Sequence, residues 1–345
     1  MIALTWRAID TPTARAFKIS AGTMTSARSV IVEARDDEGR VGYGEATPSA
    51  RVTGESEESI AKFLEWARGE VKDIDPDDPR PFLAEMATNI CGNAGARCGV
   101  DLALHDLWGK RAGKPARALH GIGDGAIEMP LTVSMDLPET MAREAKEYFA
   151  RGFDVLKVKL GQARNDEPRI AAVRRAVPQA RLRVDANEGW SREEARRLAP
   201  VLFRHGVEFM EQPLARNDLT GLAELSRTSE VPVVVDESVA DATDVARLVD
   251  HRFAGGVNVK LQKAGGLKPA LDAILAARAA GFGTQVGCNV ETGVGIAGAA
   301  QLIPLLDWAD LDGNLLLARD PFEGVRGERG RIAVPAAPGL GVRPS

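Results

Sequence analysis

From residue 129 onward, short runs rich in valine and leucine alternate with longer stretches in which apolar positions recur three and four residues apart. The runs are LTVSM (131–135), VLKVKL (155–160), LRVDAN (182–187), EFMEQP (208–213), VPVVVDES (231–238), VNVKL (257–261), TQVGC (284–288) and WADLD (308–312), eight in all. This alternation is the pattern of strand–helix repetition, and eight repeats point to a closed (β/α)8-type barrel. One connecting helix carries its own boundary signals: Ser191 and Glu194 form an S-x-x-E capping box, and Gly206 supplies a stop. Pro200 falls inside that helix and is expected to kink or split it.

Residues 1–125 read differently, as an α+β unit of extended stretches such as RSVIVEA (28–34) followed by helices. In SEESIAKFLEWARGEV, Ile60, Phe63, Leu64 and Ala67 make one apolar stripe behind Ser56 and the acidic Glu57 and Glu58, the pattern of a capped amphipathic helix. ARCGVDLALHDLWGKRAG (96–113) predicts a second helix. The organisation expected is a capping unit at 1–125, a barrel at 126–324, and a C-terminal segment, 325–345, that packs back on the cap.

Composition narrows the function. The 345 residues carry 44 basic and 49 acidic side chains, a net charge of −5, too balanced for a polyanion binder. A small molecule is the expected partner, with neither nucleic acid nor membrane, and a homo-oligomer is compatible with the sequence. Three cysteines, Cys91, Cys98 and Cys288, cannot close a disulfide framework and fit a reducing compartment. The N-terminus lacks the apolar core of a signal peptide, so a cytoplasmic location is expected.

In a barrel the chemistry sits at the C-terminal strand ends. Lys157 and Lys159 share one side of the second strand, with Leu156, Val158 and Leu160 alternating to the other. Desolvation and mutual repulsion are expected to depress both lysine pKa values. Asp185, Glu211 and Asp236 end the third, fourth and fifth strands, and three converging carboxylates require a cation. Oxygen-only ligation favours a hard ion with open positions, one Mg2+ per subunit. Lys260 ends the sixth strand, opposite the second, so Lys159 and Lys260 would face each other across the cavity. A substrate carboxylate on the metal, with an amine on each face of its α-carbon, suits removal and return of the α-proton through an enolate. Asp310 and Asp312, at i and i+2 on the eighth strand, would point the same way and hold a substrate ammonium.

Other polar residues have plainer readings. Lys263 and Lys268 are expected at the surface, His105, His120, His205 and His251 on helices or connecting loops as structural residues, and Arg326, Arg329 and Arg331 in a solvated glycine-rich turn. Gly293, Gly295 and Gly298 spell G-x-G-x-x-G, but in the seventh repeat rather than the first, so close helix packing explains them better than a dinucleotide.

K-V-K at 157–159, D-A-N at 185–187, E-Q-P at 211–213, D-E-S at 236–238 and N-V-K-L-Q-K-A-G-G at 258–266 together resemble the enolase superfamily, muconate-lactonizing subgroup, across essentially the whole chain. The resemblance implies a modified TIM barrel, (β/α)7β, under an α+β capping domain, with Asp185, Glu211 and Asp236 on Mg2+. It implies Lys159 and Lys260 as the acid/base pair, and Lys157 lowering the pKa of Lys159 and steadying the enolate. A-D-L-D-G at 309–313 is similar to the dipeptide epimerases, isomerases in which the D-x-D holds the dipeptide's amino terminus. G-E-A-T-P at 44–48 and T-G-E-S at 53–56 resemble their substrate-covering loops, and Thr132 matches a substrate contact. Where L-Ala-D/L-Glu epimerases commonly read I-S-R-G, this chain reads Ile19-Ser20-Ala21-Gly22, without the arginine that would meet a glutamate side chain.

The implied activity is 1,1-proton transfer at the C-terminal residue of L-Ala-D/L-Glu or another L-Ala-L-Xaa dipeptide. An N-acyl (N-succinyl) amino acid racemase or o-succinylbenzoate synthase would share the lysines and metal but has no ammonium for Asp310 and Asp312. A mandelate-racemase-like enzyme would want a histidine at a late strand end, and none is there. A catalytically silent metal-dependent binding protein is the reading from a different class, and a dinucleotide oxidoreductase is the weakest.

Overall fold

The computed structural model describes residues 1–20 and 22–345; Ala21, one of the four residues behind the specificity expectation, lies outside the described residues. The chain opens on a long antiparallel hairpin. Strand β1 (Ala3–Ile19) pairs with β2 (Gly22–Arg35) from Ala3↔Arg35 to Ile19↔Gly22, and β3 (Val41–Ala46) adds to the other edge of β2. Helix α1 (Glu57–Glu70) starts at Ser56, whose side chain accepts from the backbone N–H of Ser59, and buries Ile60, Phe63, Leu64 and Ala67, the stripe read from the sequence. With α2 (Arg80–Asn89), which the pattern had not announced, and α3 (Ala94–Ala112) it covers one face of the sheet over a core that includes Leu4, Val30, Val32 and Leu104.

After a short strand β4 (Ala126–Glu128), eight parallel strands follow in ring order. They are β5 (Leu131–Val133), β6 (Val155–Lys159), β7 (Arg181–Asp185), β8 (Val207–Glu211), β9 (Val233–Val235), β10 (Gly256–Lys260), β11 (Gly283–Gly287) and β12 (Trp308–Asp310). Each of the eight apolar runs contributes one strand. The connections carry α4 (Pro138–Ala150), α5 (Ala163–Ala176), α6 (Arg192–Arg204), α7 (Leu219–Thr228), α8 (Ala242–Asp250), the pair α9 (Leu261–Ala264) and α10 (Leu267–Ala279), and α11 (Gly293–Ala300). Seven helical connections between eight strands make the barrel (β/α)7β. Among the described residues no backbone ladder joins β12 to β5, which leaves one seam.

Two sequence expectations meet different outcomes. Ser191 and Glu194 do form the capping box of α6, but Pro200 does not split that helix, which runs unbroken to Arg204. Pro200 and Arg196, whose carbonyl loses its partner there, are both exposed, so water replaces the missing bond. The G-x-G-x-x-G stretch is the wholly buried α11. A Cβ on Gly298 would stand 2.7 Å from Leu102 Cδ2 on α3, so the glycine lets a barrel helix pack against a cap helix. No helix among the described residues is long and apolar enough to cross a membrane.

Cap and barrel are joined by polar groups that burial makes strong. Glu45, fully buried at the end of β3, accepts from Ser29 Oγ (2.5 Å), Thr292 Oγ1 (2.6 Å) and the backbone N–H groups of Thr292 (3.0 Å) and Gly295 (2.9 Å), so a cap carboxylate satisfies two of the free donors at the N-terminus of α11. Gln262 donates to the Glu45 carbonyl (3.0 Å) and to Glu291 Oε2 (3.2 Å). At the chain's end, Leu340 N–H donates to Asp106 of α3 at 2.7 Å, and Arg331–Ala333 pair with β4.

Burial, and then the charge of Glu45, push the Glu291 carboxyl up to about 8. Its folded pKa lies above its unfolded one, so the stability it lends is complete below about pH 4.5 and is lost as pH rises to about 8. Glu291→Gln is expected to raise stability on the order of 2 kcal/mol at pH 8.5 and to change it little at pH 4.5. Urea midpoints at the two pH values check this, and an equal shift at both refutes it.

Candidate active site

Strand register decides which side chains meet. Lys159, Asp185 and Glu211 are partners across β6, β7 and β8, and Lys260, Gly287 and Asp310 are partners across β10, β11 and β12. Two arcs of one layer at the C-terminal strand ends therefore carry the charged residues predicted from the strand runs. Asp236 stands one residue past β9, and Thr132, the partner of Lys157, lies one layer lower.

Every ammonium there meets at least one carboxylate. Lys157 Nζ lies 2.9 Å from Glu211, 2.6 Å from Asp310 Oδ2 and 3.0 Å from Asp185. Lys159 Nζ donates to Asp185 Oδ2 (2.6 Å) and Asn187 Oδ1 (3.1 Å), and Lys260 Nζ is 2.9 Å from Asp236 Oδ2. Glu211 accepts further from Asn258 (2.9 Å) and Gln285 (3.2 Å). Asp312 Oδ2 accepts from the backbone N–H of Thr132 at 2.7 Å, so this side chain bridges the seam and satisfies an edge donor of β5. The second oxygen of Asp310, Oδ1, is buried and has no hydrogen-bond partner among the described residues.

Lys157, Lys159, Asp236, Lys260, Asp310 and Asp312 floor a cavity of about 360 Å3, with Asp185 and Glu211 behind them. Its roof comes from the cap: Phe17, Ile19, Met24 and Ala27 of the hairpin, and Thr47 to Val52 of the loop after β3. Arg51 ties that loop to the barrel through the Asn187 carbonyl (2.9 Å) and Glu188 (3.1 Å).

Six carboxylates, Asp185, Glu211, Asp236, Glu237, Asp310 and Asp312, meet four ammonium groups, Lys157, Lys159, Lys260 and Lys263, leaving two formal negative charges in a largely buried site. The pKa directions reflect the imbalance. Burial outweighs Lys157 at Glu211 and raises it to about 7, and burial with the charge of Asp310 raises Asp312 to about 6. Burial also acts on Asp185 and Asp236, but Lys157 and Lys159 for the first, and Lys260 and Lys263 for the second, hold both below the usual range. A hard divalent cation would cancel the two surplus charges. Asp185, Glu211 and Asp236, on three successive barrel segments, offer the all-oxygen donor set such a cation takes, although each carboxylate is turned to a lysine and the three are not gathered at ligand spacing.

Residues 1–121 match the family profile described as mandelate racemase / muconate lactonizing enzyme, N-terminal domain, and residues 140–345 match enolase C-terminal domain-like. The chain belongs to the mandelate racemase/muconate lactonizing enzyme family. Among its relatives, an L-Ala-D/L-amino acid epimerase from Maribacter sp. is 38% identical over 308 residues, 88% of either chain. The substrate-liganded L-Ala-D/L-Glu epimerase from Bacillus subtilis superposes with a TM-score of 0.95 at 32% identity, covering 99% of this chain and 98% of the other. A dipeptide epimerase from Enterococcus faecalis V583, complexed with Mg and L-Leu-L-Tyr, gives 0.94 at 33% identity and 99% of both chains.

Against the layout of this family member, three sequence readings need correction. Lys263 is not a surface charge: it is buried, and its ammonium donates to the Asp236 carboxylate and carbonyl and, at 3.1 Å, to the Asn258 carbonyl. The one-turn helix α9, closed by Gly265, turns it back under the site, which strand periodicity does not reveal. Lys157 is not depressed; burial lowers it, but Asp185, Asp310 and Glu211 together carry it well above its ordinary value. Asp310 and Asp312 do not share a strand face, because β12 ends at Asp310 and Asp312 has left the extended conformation. Asn187 and Glu237 were passed over, although both line the cavity and Asn187 donates to Glu237 at 3.2 Å. The only sequence signal for them was adjacency to Asp185 and Asp236. Lys268 pairs with Asp272 in the open, as expected.

Removing one member of a buried ion network strands the others. Lys157→Met is expected to cost about 3–5 kcal/mol in urea unfolding, whereas Lys268→Met should change stability by less than about 0.5 kcal/mol. Equal, small effects would mean that the strand-end carboxylates are not held by Lys157.

Proposed function

We propose that the protein is a Mg2+-dependent dipeptide epimerase, an isomerase that moves the α-proton of the C-terminal residue between its two faces. The observation that carries this reading is a buried oxygen on Asp310 with no donor among the described residues, in a cavity that Asp236 also lines and beside the strand-end carboxylates Asp185 and Glu211, because a dipeptide brings an ammonium for the first and a carboxylate for a cation held by the others. The relatives that act on dipeptides support it. The cap at residues 1–125, completed by 325–345, would close over the barrel at 126–324, and Thr132 would line the bound peptide.

Asp185, Glu211 and Asp236 would hold the metal. When bound, Mg2+ supplies positive charge against the substrate carboxylate and the charge that builds on it as the α-proton leaves. Lys159 and Lys260, on β6 and β10, would take and return that proton from opposite faces. Lys157, bonded to Glu211 and Asp310, would fix both carboxylates and add positive charge below the reacting carbon. Asp310 and Asp312 would receive the ammonium.

Dipeptides incubated in D2O with Mg2+ are expected to gain one deuterium at the C-terminal α-carbon by mass spectrometry, and to gain none in excess chelator. Lys159→Ala and Lys260→Ala should each stop epimerisation while each still exchanges one epimer through the remaining lysine. Exchange of both epimers at wild-type rates by both variants would rule out the two-base arrangement.

Asp312→Asn keeps an acceptor for the Thr132 N–H and removes only charge. It is expected to lower kcat/KM for dipeptides about tenfold, the worth of roughly 1.4 kcal/mol of a charge-assisted hydrogen bond. N-acetylating the dipeptide should cost the wild type at least as much. Equal turnover of free and N-acylated substrates would move the assignment to an N-acyl amino acid racemase.

A further inference from the structure

The cavity has one wall made of hydrocarbon, beside the two aspartates at the end of the eighth strand. Ala27 and Val290, with Leu317 behind them, are buried as a small cluster of their own, and Phe17 and Leu316 pack against it. Four of these, Phe17, Ala27, Val290 and Leu316, face the cavity. Backbone pairing holds the wall rigid: Ala14 N–H donates to the Leu316 carbonyl (2.9 Å), Ala318 N–H to the Pro12 carbonyl (2.8 Å), and Thr13 bridges Leu317.

The wall adjoins the acids closely. Cys288 Sγ donates to the Asp310 carbonyl at 3.2 Å, and a Cβ on Gly313 would lie 2.2 Å from the Asn289 carbonyl oxygen, so the segment carrying Val290 touches the segment carrying Asp312. Leu316 follows Asp312 by four residues. A side chain on the carbon that bears the ammonium is therefore the one that reaches this wall.

We infer that the wall selects a branched aliphatic N-terminal residue, such as leucine or valine, over alanine. The inference rests on the epimerase reading and on the ammonium meeting Asp310 and Asp312. An alanine methyl leaves most of this preformed apolar surface uncovered, and hydrocarbon surface with no partner is where added methylenes bring binding. Cations at the cavity rim do not serve an acidic side chain there: Arg51 is already bonded to Glu188 and to the Asn187 carbonyl. Arg28, the other cation lining the cavity, lies 3.6 Å from Asp10, and Lys18, further along the hairpin, pairs with Asp136 at 2.6 Å.

The test compares L-Leu-L-Ala with L-Ala-L-Ala on one preparation of Mg2+-loaded enzyme, reading kcat/KM from deuterium uptake. The expected ratio is at least about tenfold in favour of leucine, the discrimination a few methylenes give in an apolar pocket. Val290→Asn and Leu316→Asn should each shrink that ratio several-fold, and because both substrates meet the same sample, the ratio does not depend on how much of a variant folds. A ratio at or below one, or ratios unchanged in both variants, overturns the inference and leaves the epimerase reading standing. Exchange on neither dipeptide overturns both together.

Discussion

The molecule is organised around the balance of charge in a place where water is scarce. A carboxylate or ammonium taken out of water is tolerated only when other charges and donors surround it. At the C-terminal end of this barrel the lysines of β6 and β10 and the acids of β7, β8 and β12 are brought together because strand register leaves them in one layer. Their number is not even, and the surplus is negative. That surplus explains why some of these carboxylates titrate high and others low within one cluster, and why the trio on three successive segments is suited to a small, hard cation.

The seam in the barrel belongs to the same economy of polar groups. Without a ladder between β12 and β5, the N–H of Thr132 has no strand to donate to, and Asp312 accepts from it. One carboxylate thereby closes the ring and contributes charge to the mouth. Asp310, one layer away, is tied to Lys157 by one oxygen and leaves the other without a donor among the described residues. An unfilled acceptor in a buried place is uncommon, since most such groups find a partner.

The charge of the site lies in the barrel, while its hydrocarbon comes from both halves of the chain. The barrel holds the ionised groups on strand ends, where the backbone cannot move far, and the cap brings Phe17, Ile19, Met24 and Ala27 over them. This arrangement depends on the cap staying in register with the barrel, through Glu45 on α11 and through the edge of β1 paired to the chain after β12.

Much of this was legible in the sequence for a physical reason: a parallel strand buried on both faces must be apolar throughout, so a charge at its end stands out against its neighbours. That contrast marked Lys157, Lys159, Asp185, Glu211, Lys260 and Asp310, and with eight such runs it set the barrel. The stripe of α1 and the cap of α6 were legible because both depend on residues within one or two turns. Lys263 was not, because a single helical turn after β10 decides whether it meets solvent or Asp236. Nor was the rise in the pKa of Lys157, which needs the distances to three carboxylates from three other strands. Pro200 shows the converse, a local rule set aside by an exposed position. Sequence alone determined which residue types lie at the strand ends, since burial along the chain is a local pattern. Only the tertiary structure decided which charges pair, which oxygen is left over and what hydrocarbon stands beside it, since these depend on contacts between residues far apart in the chain.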